Sequence, residues 1–138
     1  MNKFKPILAI ETSETICSAA LYYSNEKYFA SAIKLKHSHS EKLFEIIEFL
    51  FQQAEINRDE ISSIAVSGGP GSFTGLRIGM AAAKGIANGT GVPLIIVPTF
   101  EALAYQLSAC FSDKKLPVNE QQSELHRSLV FALLSNQV

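Results

Sequence analysis

The chain has 138 residues, 47% of them hydrophobic and 18% charged, enough for one ordinary domain with its own core. Its 12 Lys and Arg against 13 Asp and Glu leave a formal net charge of -1. That argues against autonomous nucleic-acid binding, which needs clustered cations, so any RNA contact is expected to be shared with another subunit. No segment reaches the roughly 20 apolar residues that span a bilayer, and Glu11 interrupts the first apolar run too early for a signal peptide.

Ile7-Leu8-Ala9-Ile10 is a short apolar run ending at Glu11-Thr12-Ser13, the pattern of a central strand entering a polar turn. Residues 15–23 and 27–35 follow as two strands around Ser24-Asn25-Glu26, which is hairpin chemistry, so three antiparallel neighbours are expected. After Ser38 the period changes. Leu43, Phe44, Ile46, Ile47, Leu50, Phe51 and Ala54 share one wide face of a helix predicted over 39–55. Asn57 with Glu60 predicts a capped single turn, and 61–67 a buried strand. The next helix is predicted over 73–88, stopped at Gly89-Thr90-Gly91. Residues 93–97 form another buried strand, and Thr99 caps a helix over 99–110 with Phe100, Leu103, Ala104 and Leu107 as its core stripe. The order βββαβαβα predicts an α/β fold: one mixed sheet with helices packed on it, the last strands added in parallel by right-handed crossovers.

From Phe111 the composition turns polar and loses periodicity, through Ser112-Asp113-Lys114-Lys115 and Asn119-Glu120-Gln121-Gln122. Residues 1–110 are therefore expected to form one domain, and 111–138 a linker with the start of a missing or shortened second domain. Cys17 and Cys110 lie in apolar surroundings without Cys-x-x-Cys spacing, and read as core residues of a reduced, cytoplasmic protein.

The most informative stretch joins the 61–67 strand to its helix: Ser67-Gly68-Gly69-Pro70-Gly71-Ser72-Phe73-Thr74-Gly75-Leu76-Arg77-Ile78-Gly79. Backbone N–H groups beside Gly68, Gly69, Gly71 and Gly75 could approach an anion closely at a helix start. No Gly-Lys-Ser/Thr ending follows, however, and the dinucleotide spacing is incomplete. A tight strand-to-helix turn capped by Ser72 explains the same residues. In the helix that follows, Arg77, Lys84 and Asn88 form one narrow polar strip while Leu76, Gly79, Met80, Ala82, Ala83, Gly85, Ile86 and Ala87 fill nearly all the rest. A helix apolar almost all round is expected to be covered almost all round, one side by this sheet and another by a neighbouring helix or subunit. Phe49 and Ile56 of the first helix region lie off its apolar face among Glu41, Glu45, Glu48 and Gln52, which points the same way.

Glu11-Thr12-Ser13 stands where open α/β sheets place their chemistry, and could hold a metal-bound phosphate or tie the turn together. No nucleophile, base and acid set emerges, and Ser13 and Ser72 have no activating histidine. His37-Ser38-His39 lacks a third and fourth ligand, so no metal is expected there, and no cofactor is expected.

Ile7 to Ser13 together with the glycine run closely resembles the TsaB (YeaZ) family of bacterial tRNA-modification proteins. His39-Ser40, Lys84-Gly85 and Val97-Pro98-Thr99 extend the likeness over about residues 7–108. The resemblance implies an actin-like fold built of two RNase H-like halves, of which βββαβαβα is the first. It implies a noncatalytic subunit that pairs with its paralogue TsaD, the enzyme that transfers threonylcarbamoyl to the adenosine next to the anticodon. A TsaE-like ATPase is a further partner, tRNA is met only through the complex, no membrane is involved, and the chain alone could form a homodimer. The implied interface lies on the two helices, at Leu43, Ile46, Phe49 and Leu50 and at Arg77, Met80, Ala83, Lys84 and Ala87. Glu11, Thr12, Ser13, Gly68, Gly69, Gly71 and Ser72 remain a secondary candidate phosphate site. Catalytic relatives bind metal through two histidines four residues apart on a helix, whereas His37 and His39 are two apart, so metal catalysis does not carry over. The alternative is a metal- or nucleotide-dependent hydrolase, glycopeptidase-like, of the same superfamily.

Overall fold

In the computed structural model, which describes residues 4–24, 26–34, 39–102 and 104, seven main elements follow one another. They are β1 (Ile7–Glu11), β2 (Ile16–Ser24), β3 (Lys27–Lys34), α1 (His39–Ala54), β4 (Ser63–Ser67), α2 (Phe73–Thr90) and β5 (Leu94–Val97). A single 3-10 turn, Arg58–Glu60, precedes β4, and residues 99–102 begin a further helix after β5. The segments 35–38 and 105–138, which hold His37, Ser38, Cys110 and the expected linker, lie outside the described residues.

The five strands form one sheet in the order β3-β2-β1-β4-β5. β1 pairs antiparallel with β2 and β2 with β3, as expected from the hairpin signal, and Ser24 Oγ closes that turn by accepting from Glu26 N and Lys27 N. β4 and β5 join in parallel through α1 and α2. β1 is therefore interior to the sheet, which is why its sequence is a continuous apolar run rather than an alternation.

Both helices lie on one face. Leu8, Ile10, Cys17, Leu21, Ile64 and Val66 of the sheet meet Leu43, Ile46, Ile47, Leu50 and Phe51 of α1 and Ala82 and Ala83 of α2. Each fully buried Leu or Ile contributes about 1.5–3 kcal/mol of transfer free energy. Burial also pushes the Cys17 thiol up to about 11, the behaviour of an inert core residue. On the opposite face, small side chains dominate: Ala9, Ala20 and Ala65 are buried, and Val97 packs with Ala65 and Ala102.

Four expectations are corrected. Phe44, assigned to the core face of α1, is 52% exposed, because the buried stripe runs through Leu43, Ile46, Ile47 and Leu50 and leaves position 44 at its margin. Ile56, expected outside, folds back against the core once α1 ends with Glu55 in the left-handed region at φ 54 and Ile56 N bonded to Phe51 O at 3.3 Å. α2 does not stop at Gly89. It runs through Thr90, whose hydroxyl bonds Ile86 O at 2.7 Å, and ends at Gly91 (φ 73), whose N–H donates to Ala87 O. Beyond β5, Phe100 is 67% exposed and Ala102 is buried instead, since a small residue lets this turn lie close on Ala65 and Val97.

Candidate functional site

The C-terminal ends of β1 and β4 meet at a buried polar turn. Parallel register sets Ile10 beside Val66, which brings Glu11 next to Ser67. Glu11 Oε1 accepts from Ser13 N at 2.6 Å and from Ser67 Oγ at 3.0 Å, and Glu11, Thr12 and Ser13 are all fully buried. Glu11 Oε2, Ser13 Oγ and Thr99 Oγ1 are buried without a partner among the described residues. Burial raises the Glu11 pKa above the usual carboxylate value, opposed by the Ser13 and Ser67 bonds.

The N-terminal half of α2 sits directly on this turn. Ser72 N donates to Ser13 O at 2.6 Å, Thr12 Oγ1 donates to Gly75 O at 2.7 Å, and Ser72 Oγ caps the helix by accepting from Gly75 N. A Cβ at Gly71 would stand 2.5 Å from Ser13 O, one at Gly75 would overlap Thr12 O, and one at Gly79 would overlap Thr12 Oγ1. At Gly68 it would overlap Ile96 Cγ2, while Gly69 O accepts from Thr99 N at 2.8 Å. The glycines thus admit the chain's own turn. The secondary candidate phosphate residues Glu11, Thr12, Ser13, Gly68, Gly69, Gly71 and Ser72 are brought together, with Glu11, Thr12 and Ser13 buried beneath the turn and Gly68, Gly71 and Ser72 exposed on it.

On the outer side of α1 and α2 the picture reverses. Gly85 and Gly89 have nothing within 4 Å of where a Cβ would stand. Phe44 rises between two grooves. One, about 440 Å³, is walled by Phe73, Arg77, Ile78 and Ala81; the other, about 460 Å³, by Arg58, Asp59, Gly85, Ile86 and Gly89. Phe73 is 73% and Phe49 49% exposed, and the Arg77 guanidinium lies 5.2 Å from the Phe73 ring centroid. Arg58 pairs with Glu48 across the edge of this face. α2 carries Arg77 and Lys84 and no acid, whereas α1 carries Glu41, Glu45 and Glu48.

The candidate interface residues divide between the two sides. Phe49, Arg77 and Lys84 are exposed, Arg77 on the wall of the first groove. Met80 and Ala87 are half-buried and pack against the core. Leu43, Ile46, Leu50 and Ala83 are at most 3% exposed, so their side chains are already spent on this chain's own sheet; helical spacing identified an apolar face without distinguishing which partner it met. Sequence reasoning missed Phe44, Phe73 and Gly89 on the outer face and Ser67 at the turn. The Gly85–Gly89 spacing inside a helix was an available signal, because helix-interior glycine costs about 1 kcal/mol and needs a reason. Ser67 had none, since its role follows from strand register.

Among the described residues no group of three or more His, Cys, Asp or Glu gathers, and no helix is long and apolar enough to cross a membrane.

Sheet order, mixed polarity and the helix pair define an actin-like, RNase H-like α/β domain. A family model described as TsaD, tRNA N6-adenosine threonylcarbamoyltransferase, matches residues 33–132. The chain belongs to the TsaB (YeaZ) family within that group. It is 38% identical over 92 residues to the tRNA threonylcarbamoyladenosine biosynthesis protein TsaB of Buchnera aphidicola (67% of this chain, 41% of the relative). To TsaB of Escherichia coli it is 33% identical over 99 residues (71% and 42%). YeaZ from Pseudomonas aeruginosa superposes with a TM-score of 0.69 at 27% identity, over 75% of this chain and 48% of that one. Thermus thermophilus RuvC, at 13% identity and TM-score 0.51, shares the fold alone. The chain thus spans less than half the length of these two TsaB relatives.

Proposed function

We propose that the chain is a noncatalytic subunit that docks through the outer face of α1 and α2 on a TsaD-like threonylcarbamoyltransferase and supports its modification of the adenosine next to the tRNA anticodon. One observation carries this reading: Phe44 and Phe73, both exposed, wall one groove, and Phe44 stands beside two helical glycines, Gly85 and Gly89, that nothing among the described residues covers. Contiguous exposed apolar surface of this kind marks interaction sites, and Gly85 and Gly89 would let a second backbone come close. The relatives named TsaB supply the pathway, and the match to the TsaD family model supports a partner of related fold, which could present an equivalent face. The exposed Arg77 and Lys84 favour an acidic surface opposite α2.

Co-purification of the chain with the TsaD homologue of its own organism tests the reading, with threonylcarbamoyladenosine content of tRNA as the functional measure. Phe44→Glu is expected to abolish the complex while leaving the isolated chain folded. Failure of the unmodified chain to bind that homologue would refute the proposal. Ala83→Glu is no test, because it places a charge in the core.

A further inference from the structure

A further cavity lies at the end of the sheet opposite the buried turn. It measures about 570 Å³, within the range that small ligands occupy, and is walled by the residues entering β1, by the β2–β3 hairpin and by the C-terminal end of α1. Pro6, fully buried, and Ile56, packed against the core, belong to its apolar lining.

Three local departures from regular structure or burial meet in its wall. The register of the hairpin shifts between Tyr22, which pairs with Tyr28, and Ser24, which pairs with Lys27. Tyr23 is therefore an extra residue in its strand, the kind of bulge that re-aims a side chain, and it lines the cavity with Lys27 Nζ 4.4 Å from its ring centroid. At the end of α1, Glu55 holds φ 54, a conformation that costs a side-chain-bearing residue energy and that glycine adopts freely. Phe4, on the strand entering β1, lines the cavity while 84% exposed.

The charges of the wall select the ligand. Glu60 Oε2 already accepts from Asn57 N at 2.7 Å, and the Lys27 ammonium lies over the Tyr23 ring. Lys5 and Glu55 are exposed and have no ion-pair partner among the described residues. One free cation and one free anion, on a wall otherwise aromatic and aliphatic, are complemented by a molecule that carries both charges on an apolar body. A purely anionic ligand would meet Glu55 and Glu60, and a purely cationic one Lys5 and Lys27. The Phe4 ring gains most from an apolar group laid against it.

We propose that this cavity is a binding site for a short apolar peptide with free termini, whose ammonium meets Glu55, whose carboxylate meets Lys5 and whose side chains cover Phe4. The site is independent of docking through α1 and α2. It also accounts for a glutamate where glycine would fit the backbone better: the Glu55 side chain serves the ligand rather than the fold.

The test titrates the dipeptide leucyl-phenylalanine into the full chain and follows backbone amide chemical shifts. Saturable shifts are expected at Tyr23, Lys27 and Glu55, with a Kd of about 1 mM or tighter. The N-acetylated and the C-amidated dipeptides, each lacking one charge, are expected to bind about threefold more weakly. Phe4→Ala, which removes an exposed ring and leaves the core untouched, is expected to weaken binding about tenfold. Glu55→Gly is expected to weaken it about threefold while Tm rises, opposite movements that a purely structural Glu55 would not produce. Absence of saturable shifts at these residues overturns the site. A doubly blocked dipeptide that binds as tightly as the free one overturns the zwitterion and shows that an internal stretch of a protein serves equally well. Undiminished affinity of Glu55→Gly or Phe4→Ala overturns the roles assigned to those side chains.

Discussion

Four glycines of α2 divide into two pairs with opposite physics, and alanine substitution separates them. At Gly79 a Cβ would overlap Thr12 Oγ1, the atom whose hydrogen bond to Gly75 O joins helix to turn in a fully buried site. Relieving the overlap costs about 1–3 kcal/mol in displaced packing, and losing the buried hydrogen bond about 1–3 kcal/mol more. The better helix propensity of alanine returns about 1 kcal/mol. Gly79→Ala should therefore destabilise by about 1–5 kcal/mol. With an unfolding entropy of about 2.1 cal/mol/K per residue over 138 residues, or about 0.29 kcal/mol/K, this lowers Tm by about 3–17 °C. At Gly85 the position is open, so only the propensity gain remains, and Gly85→Ala should raise Tm by about 3 °C. Thermal unfolding of the isolated chain by far-ultraviolet circular dichroism reads both. A Gly79→Ala chain as stable as its parent, or a destabilised Gly85→Ala chain, would refute the assignment of these glycines.

The remaining predictions concern the turn, a helix end and the solvent face. Thr12→Val removes the donor to Gly75 O from a buried site and should cost about 1–3 kcal/mol in denaturant unfolding; an unchanged midpoint would show that the bond is immaterial. Because burial raises the folded-state pKa of Glu11, the native chain holds its proton to higher pH than the unfolded chain, which releases it from the ordinary carboxylate value of 4.5 upward. Its stabilising effect is complete below that value and is lost as pH rises through the folded pKa, each tenfold in ionisation being worth about 1.4 kcal/mol. The Tm of Glu11→Gln should accordingly gain on that of the unmodified chain as pH rises, and a difference that stays flat with pH would contradict this. Glu55→Gly should stabilise by about 0.5–1 kcal/mol in thermal melts, since glycine adopts the left-handed conformation at φ 54 without the steric cost a side chain carries. Lys42→Ala, which breaks an exposed pair with Glu45, should move Tm by less than about 2 °C.

The helices and strands were legible in the residues because their signals are local. Apolar runs marked β1, β4 and β5, the 3.6-residue period marked α1, and Ser72 and Asn57 marked the starts of their helical turns, where Ser72 accepts from Gly75 N and Asn57 N bonds Glu60 Oε2. The site was less legible. A loop of glycines next to a helix start has one appearance whether it admits a phosphate or a neighbouring main chain, and the Thr12 and Ser13 atoms beside Gly71, Gly75 and Gly79 are placed there only by the fold. Likewise Leu43 and Phe44 are adjacent apolar residues of one helix, yet one is fully buried and the other half exposed.

By itself the sequence determined the element order, the mixed sheet, the family and the abundance of small residues in α2, since each is written in spacing or in motif. Tertiary structure decided which of those residues face inward. Gly75 and Gly79 are required by contact with a turn some 63 residues earlier in the chain, Gly85 and Gly89 face open space, and Glu11 finds Ser67 only through the parallel register of β1 and β4. The physical reason is that a helix has one periodicity but two sides, and long-range packing alone assigns a side its neighbour.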